Sequence, residues 1–243
     1  MFTVKLRCKG LADISTTAGI DSARMYQPGF AVYITLALAK PIRAMPDQNI
    51  LLLIYFVAFF LLAFVLRSVL VYRNTGINPL VLPRTQDAYG YVGMAFKVLM
   101  LGCAGVLTLL AFVPNTSTWL GAITLLEITF IKRLGWFCLL VSLVWMLIAQ
   151  AQMGASWRIG IDSANPTALV SKGLFSVSRN PIFLATRLSL LGFFLVAPNA
   201  ATLALLAAAE VVIQVQVRLE EKHLACLHGS AHDQYFSKVP RWL

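Results

Sequence analysis

Runs of roughly twenty apolar residues, repeated along the chain with short polar joints between them, constrain this sequence more than any motif in it. A helix needs about 20 mostly apolar residues to cross the hydrocarbon of a bilayer, and runs near that length extend from Ile50 to Val71, from Tyr91 to Val113 and from Leu134 to Met153. Two more, Ile182 to Val196 and Ala200 to Val217, are parted only by Ala197-Pro198-Asn199, which reads as a tight turn between neighbouring helices. The fourth run is short for a full crossing, which suits a tilted helix or one that starts inside protein. With 59% hydrophobic and 12% charged residues, the chain has too little polar surface for a water-soluble domain of this length. The expected fold is therefore an all-α, polytopic membrane helix bundle of about five transmembrane helices. Residues 45–153 supply the first three, and residues 154–243 supply a helical hairpin and a polar tail.

A net charge of +10 does not point to nucleic acid in such a chain, because basic loops on the cytoplasmic face are the ordinary signature of membrane proteins. Five crossings put the segments 72–90 and 154–181 and the tail after Arg218 on one side, with Arg73, Arg84, Arg158, Lys172, Arg179, Lys222, Lys238 and Arg241. That side is expected to be cytoplasmic, in a plasma or inner membrane. Residues 1–44 fit this scheme poorly, since Lys5, Arg7, Lys9, Arg24, Lys40 and Arg43 would lie outside. They carry no signal-peptide pattern and are read either as a poorly ordered extension or as preceding a natural start at Met45, with an interfacial amphipathic segment as the alternative.

Cys8, Cys103, Cys138 and Cys226 include no C-x-x-C pair, and so imply neither a disulfide framework nor a zinc site. His223, His228 and His232 all fall in the tail and read as ordinary polar residues. The chain also lacks a P-loop, a G-x-S-x-G elbow and a dinucleotide fingerprint, which sets aside the chemistries those motifs serve.

The informative stretch starts at Gly154. It contains Trp157-Arg158, then Leu169-Val170-Ser-Lys-Gly173-Leu-Phe175, then Ser178-Arg179-Asn180-Pro181-Ile-Phe183, then Arg218-Leu-Glu220-Glu221, and finally His228-Gly229, Tyr235 and Val239-Pro240-Arg241. In order and spacing this resembles the isoprenylcysteine carboxyl methyltransferase and phospholipid methyltransferase superfamily of membrane enzymes. There are departures. Asn180 stands where the family usually has His, Phe175 and Phe183 where it has Tyr, and Ala185 where Gly is common. Asparagine donates and accepts hydrogen bonds but cannot carry a proton near neutral pH.

The resemblance implies S-adenosyl-L-methionine as cofactor, held by Leu169, Val170, Gly173, Phe175, Arg179, Asn180, Pro181, Phe183 and Glu220. The chemistry of these residues agrees with that. A carboxylate at Glu220 or Glu221 suits hydroxyls, an ammonium and a nearby cation, while Phe175 and Phe183 offer walls for adenine. Pro181 suits the first turn of a helix, leaving Arg179 and Asn180 beside free N–H groups that favour a carboxylate.

Glu210, Gln214, Arg218 and Glu221 follow i, i+4, i+8 and i+11 and so share one helical stripe. Charges at membrane depth are costly and face an interior or a watered cavity. Arg218, Glu221 and Glu210 are therefore the candidate catalytic group, lining the space between cofactor and a lipophilic or lipidated acceptor that arrives from the bilayer. The expected activity is methyl transfer in the membrane. The alternatives are a membrane reductase of the sterol reductase type using NADPH, and a non-catalytic membrane scaffold.

Overall fold

The computed structural model describes residues 48–79, 87–158 and 168–243. The readings of residues 1–44 and of Arg84 lie outside the described residues. Six helices carry the architecture: α1 (Gln48–Thr75), α2 (Ala88–Phe112), α3 (Thr129–Met153), α4 (Pro181–Val196), α5 (Ala200–His228) and the short α6 (Ser230–Lys238). Among the described residues there is no β-strand, only an isolated bridge between Ala122 and Asn199. α1, α2, α3 with its 3-10 extension to Ser156, and α5 are each long and apolar enough to cross a membrane, and α4 is a shorter apolar helix. The five apolar runs thus become five helices in a membrane-type bundle. α5 outlasts its apolar run, continuing from Val217 to His228. Good helix formers follow Val217 with no Gly or Pro until Gly229, whose φ of 51° ends the helix.

The 16 residues of α4 span about 24 Å at 1.5 Å per residue, less than the roughly 30 Å of hydrocarbon. It tolerates this because protein surrounds it. Ala185, Ser189, Gly192, Phe193, Phe194 and Val196 are all buried. Its crossing with α3 is built on two glycines: a Cβ on Gly135 would lie 2.9 Å from the Val196 backbone nitrogen, and one on Gly192 would lie 2.9 Å from the Gly135 carbonyl oxygen. Only hydrogen fits at either position, which is how membrane helices gain packing without a hydrophobic drive between them. The turn into α5 is locked by a capping box. Asn199 Oδ1 accepts from the Thr202 N–H at 3.0 Å, and the Asn199 N–H donates to Thr202 Oγ1 at 3.2 Å.

α1 joins the bundle through polar bonds hidden from lipid. Its middle turn, Leu61–Leu66, widens to a π-helix, and the Ala63 carbonyl accepts from Gln150 Nε2 of α3 at 2.8 Å. Nearby, Tyr55 donates to the Leu139 carbonyl at 2.6 Å. α2 is the most open helix, with Tyr91, Val98, Leu101 and Phe112 more than 60% exposed. Such a surface suits acyl chains and not water.

Candidate functional site

The ends of α3, α4 and α5 that lie beside α6 and the C-terminal tail form a shallow cleft that opens to the surroundings. Leu169, Val170, Phe175, Arg179, Asn180, Glu220 and Glu221 line it, together with Tyr235 and Phe236 from α6. The hairpin geometry is responsible. α4 begins at Pro181 and α5 returns antiparallel, so residues some 40 apart in sequence meet at one end of the bundle. Pro181 occupies the first helical position, where its missing N–H costs nothing, and the Arg179-Asn180 pair precedes the free N–H groups of that turn.

Two carboxylates enter the cleft from adjacent positions of α5 and have different surroundings. Glu221 is spoken for. Arg241 donates to both of its oxygens, with Nη2 at 2.6 Å from Oε2 and Nε at 3.0 Å from Oε1, while Arg179 Nη2 stands 3.7 Å away. Asn180 Nδ2 lies 3.5 Å from Glu221 Oε1 and also reaches the Arg241 carbonyl at 3.3 Å. The carboxylate beside Arg241 holds its guanidinium above the ordinary arginine range. Glu220 has one oxygen bonded to Gln216 Nε2 at 2.7 Å, and its other oxygen has no partner among the described residues.

The tail is tied over this region at several points. The Arg179 N–H donates to the Pro240 carbonyl at 3.0 Å, and the Ser178 hydroxyl reaches the Arg241 carbonyl at 3.3 Å. Tyr235 donates to the Phe175 carbonyl at 2.6 Å, and burial pushes its phenol up to about 12. Arg179 lies over the Phe236 ring at 4.0 Å, and its Nε is buried without a partner among the described residues. An unsatisfied guanidinium nitrogen beside a helix N-terminus is a place where an anionic group gains binding energy.

Residues 131–231 match the phospholipid methyltransferase family model. The match is to the integral membrane methyltransferase superfamily, in agreement with the resemblance drawn from the motifs. No curated protein and no solved structure matches the chain. The matched segment runs from the first turn of α3 into α6, and so contains the hairpin and every cleft residue named above except Tyr235 and Phe236.

Several expected site residues sit elsewhere. Gly173, at φ 66°, serves a close approach of backbone to side chain: a Cβ there would lie 2.5 Å from the Gln152 amide, whose Oε1 accepts from the Leu174 N–H at 2.7 Å. Phe183 stacks on Phe96 of α2 at 6.5 Å and does not line the cleft. Pro181 is buried, its carbonyl accepting from Trp145 Nε1 at 3.1 Å. The stripe on α5 divides. Glu210 bonds Arg187 Nε at 2.7 Å and Gln214 at 2.8 Å, and Arg218 bonds Gln214 at 2.9 Å, but none of them reaches Glu221. A separation of 11 returns to nearly the same face of the helix but lies about 16 Å further along its axis at 1.5 Å per residue, so Glu210 meets Arg187 of α4 while Glu221 meets Arg241 of the tail.

Arg187 escaped the sequence reading, although a lone guanidinium inside an apolar run was visible as an anomaly. Phe236 carried no such signal. Its place over Arg179 depends on how α6 folds back.

Proposed function

We propose that the protein is an S-adenosylmethionine-dependent methyltransferase acting on a lipophilic acceptor, with the cofactor in the cleft beside Glu220. One observation carries this reading: within a segment that matches a methyltransferase family, Leu169, Val170, Phe175, Arg179, Asn180 and Glu220 converge on one cleft from three separate stretches of chain. The donor set fits the cofactor's parts. Arg179 and the N-terminus of α4 offer an anion site for its carboxylate. Glu220, with a free oxygen, accepts from hydroxyls or an ammonium, and Phe175, Tyr235 and Phe236 supply aromatic walls.

When bound, S-adenosylmethionine would supply an electrophilic methyl on a cationic sulfonium, with a neutral thioether as its leaving group. The chain's contribution is to position and to exclude water. Glu220 also places negative charge near a cationic ligand. Glu221, held by Arg241 on both oxygens, maintains the cleft. A carboxylate or thiolate acceptor needs no base, whereas an amine needs one, and Glu220 is the cleft carboxylate with an oxygen to spare. Asn180 acts as a hydrogen-bond donor to Glu221 and the tail, a role that requires no titration.

The cleft and the basic tail share one end of the bundle, which favours a cytosolic source of cofactor. The family match supports methyl transfer over the reductase reading. Membranes containing the protein, incubated with methyl-labelled S-adenosylmethionine, are expected to yield a labelled lipid-extractable product. No label above that of membranes lacking the protein, across a total lipid extract and added prenylated thiols, would contradict the proposal.

A further inference from the structure

Outside the cleft, the α4–α5 hairpin carries a second polar system that methyl transfer does not use. Arg187 lies six residues into α4, about 9 Å from its start at 1.5 Å per residue. Its Nε donates to Glu210 Oε2 at 2.7 Å, Gln214 donates to Glu210 Oε1 at 2.8 Å, and Arg218 Nη1 donates to the Gln214 side-chain oxygen at 2.9 Å and its carbonyl at 2.7 Å. The ladder therefore runs from membrane depth towards the end of α5.

Its charges do not balance. The ladder holds two guanidinium groups and one carboxylate, and Glu210 spends both oxygens on Arg187 and Gln214. Arg218 bonds only neutral oxygens, and among the described residues no carboxylate pairs with it. The two Nη groups of Arg187 likewise have no partner among the described residues. Nor is the system hidden: the Arg187 and Glu210 side chains are 30% and 37% exposed, and Arg218 is exposed. Arg218 shares a face, at i, i+3 and i+7, with Val215 and Val211, both exposed apolar residues. Trp242 from the tail covers Arg187, its ring 4.4 Å from the guanidinium carbon, and leaves the in-plane donors open.

We propose that Arg187 and Arg218, bridged by Glu210 and Gln214, form a binding site for an anionic headgroup, a phosphate or carboxylate whose acyl chain lies along Val211 and Val215. The surplus positive charge, the donors left over and the adjoining apolar stripe together match a molecule with an anionic head and a hydrocarbon tail. The site is separate from the cofactor cleft, and the inference does not rest on methyl transfer.

Native mass spectrometry of the full chain, titrated with phosphatidylglycerol, with phosphatidylcholine and with inorganic phosphate, tests it. The wild type is expected to retain phosphatidylglycerol, and the Arg187→Gln/Arg218→Gln double variant to bind it about tenfold or more weakly, the loss expected for a charge-assisted contact. Phosphatidylcholine binding should change little. Displacement of the lipid by inorganic phosphate would identify a free anion as the occupant; its failure to compete would identify the lipid. Glu210→Gln removes the compensating carboxylate and should tighten phosphatidylglycerol binding, an effect opposite in sign to that of breaking a merely structural ion pair. Equal lipid retention by the wild type, the double variant and Glu210→Gln would overturn the proposal, and so would weaker retention by Glu210→Gln.

Discussion

Glu221 and Glu210 sit on the same helix and both face arginines, yet they belong to different kinds of place. Around Glu221 the polar groups close on one another: Arg241, Arg179 and Asn180 leave its side chain 11% exposed. Around Glu210 they stay open to the surroundings, with one carboxylate between two guanidinium groups. The lesson is that a charge on an apolar helix does not mark a reacting group by itself. A carboxylate closed in by paired charges maintains architecture, and one with an oxygen to spare or a neighbouring cation left unpaired faces a ligand. Glu220, next to the closed site, belongs to the open kind.

The strongest way to break this distinction is to remove the closed carboxylate. Glu221→Ala leaves Arg241 and Arg179 facing a hole, and breaking a buried pair from one side costs about 3–5 kcal/mol. Folded yield and thermal stability in detergent should therefore collapse together with any activity. A stable Glu221→Ala protein that had lost only turnover would return Glu221 to the catalytic group. A double change, Glu221→Gln with Arg241→Gln, should recover part of the stability.

The next effect in size falls on Glu220. Glu220→Gln keeps shape and hydrogen bonding but removes the charge, so cofactor affinity should drop by about 1.5–3 kcal/mol while the melting temperature barely moves. Calorimetry and thermal melting on the same preparation separate the two quantities. Loss of stability equal to that of Glu221→Ala would erase the contrast between the neighbours.

Smaller again is Tyr235→Phe, which deletes one hydrogen bond to the Phe175 carbonyl and is expected to cost about 1 kcal/mol. Its measurable sign is local: faster hydrogen exchange in α6 and the tail, with α1 to α3 unchanged. Uniform exchange throughout the chain would mean that the tail is not an independently tied segment.

Much of this was legible in the sequence. The apolar runs carried the helices, because the bilayer imposes a length and a composition that few other contexts do. Ala197-Pro198-Asn199 carried the hairpin, and the family resemblance singled out Leu169, Arg179, Asn180 and Glu220, which line one cleft. Where reading along one helix failed, the deciding partner came from elsewhere. Glu221 and Glu210 looked alike on α5, and only Arg241 in the tail and Arg187 on α4 tell them apart. Phe183 looked like a cofactor wall until Phe96 of α2 supplied its neighbour. The roles of Gly135 and Gly192 were equally hidden, because a close crossing depends on what the other helix presents.

The central claim is that the cleft beside Glu220 binds S-adenosylmethionine, and a direct calorimetric titration of the purified full chain tests it. Saturable binding of S-adenosylmethionine by the wild type, weakened in Glu220→Gln, with no heat from NADPH, is the predicted result. Binding of NADPH in place of S-adenosylmethionine, or S-adenosylmethionine affinity identical in wild type and Glu220→Gln, would contradict it.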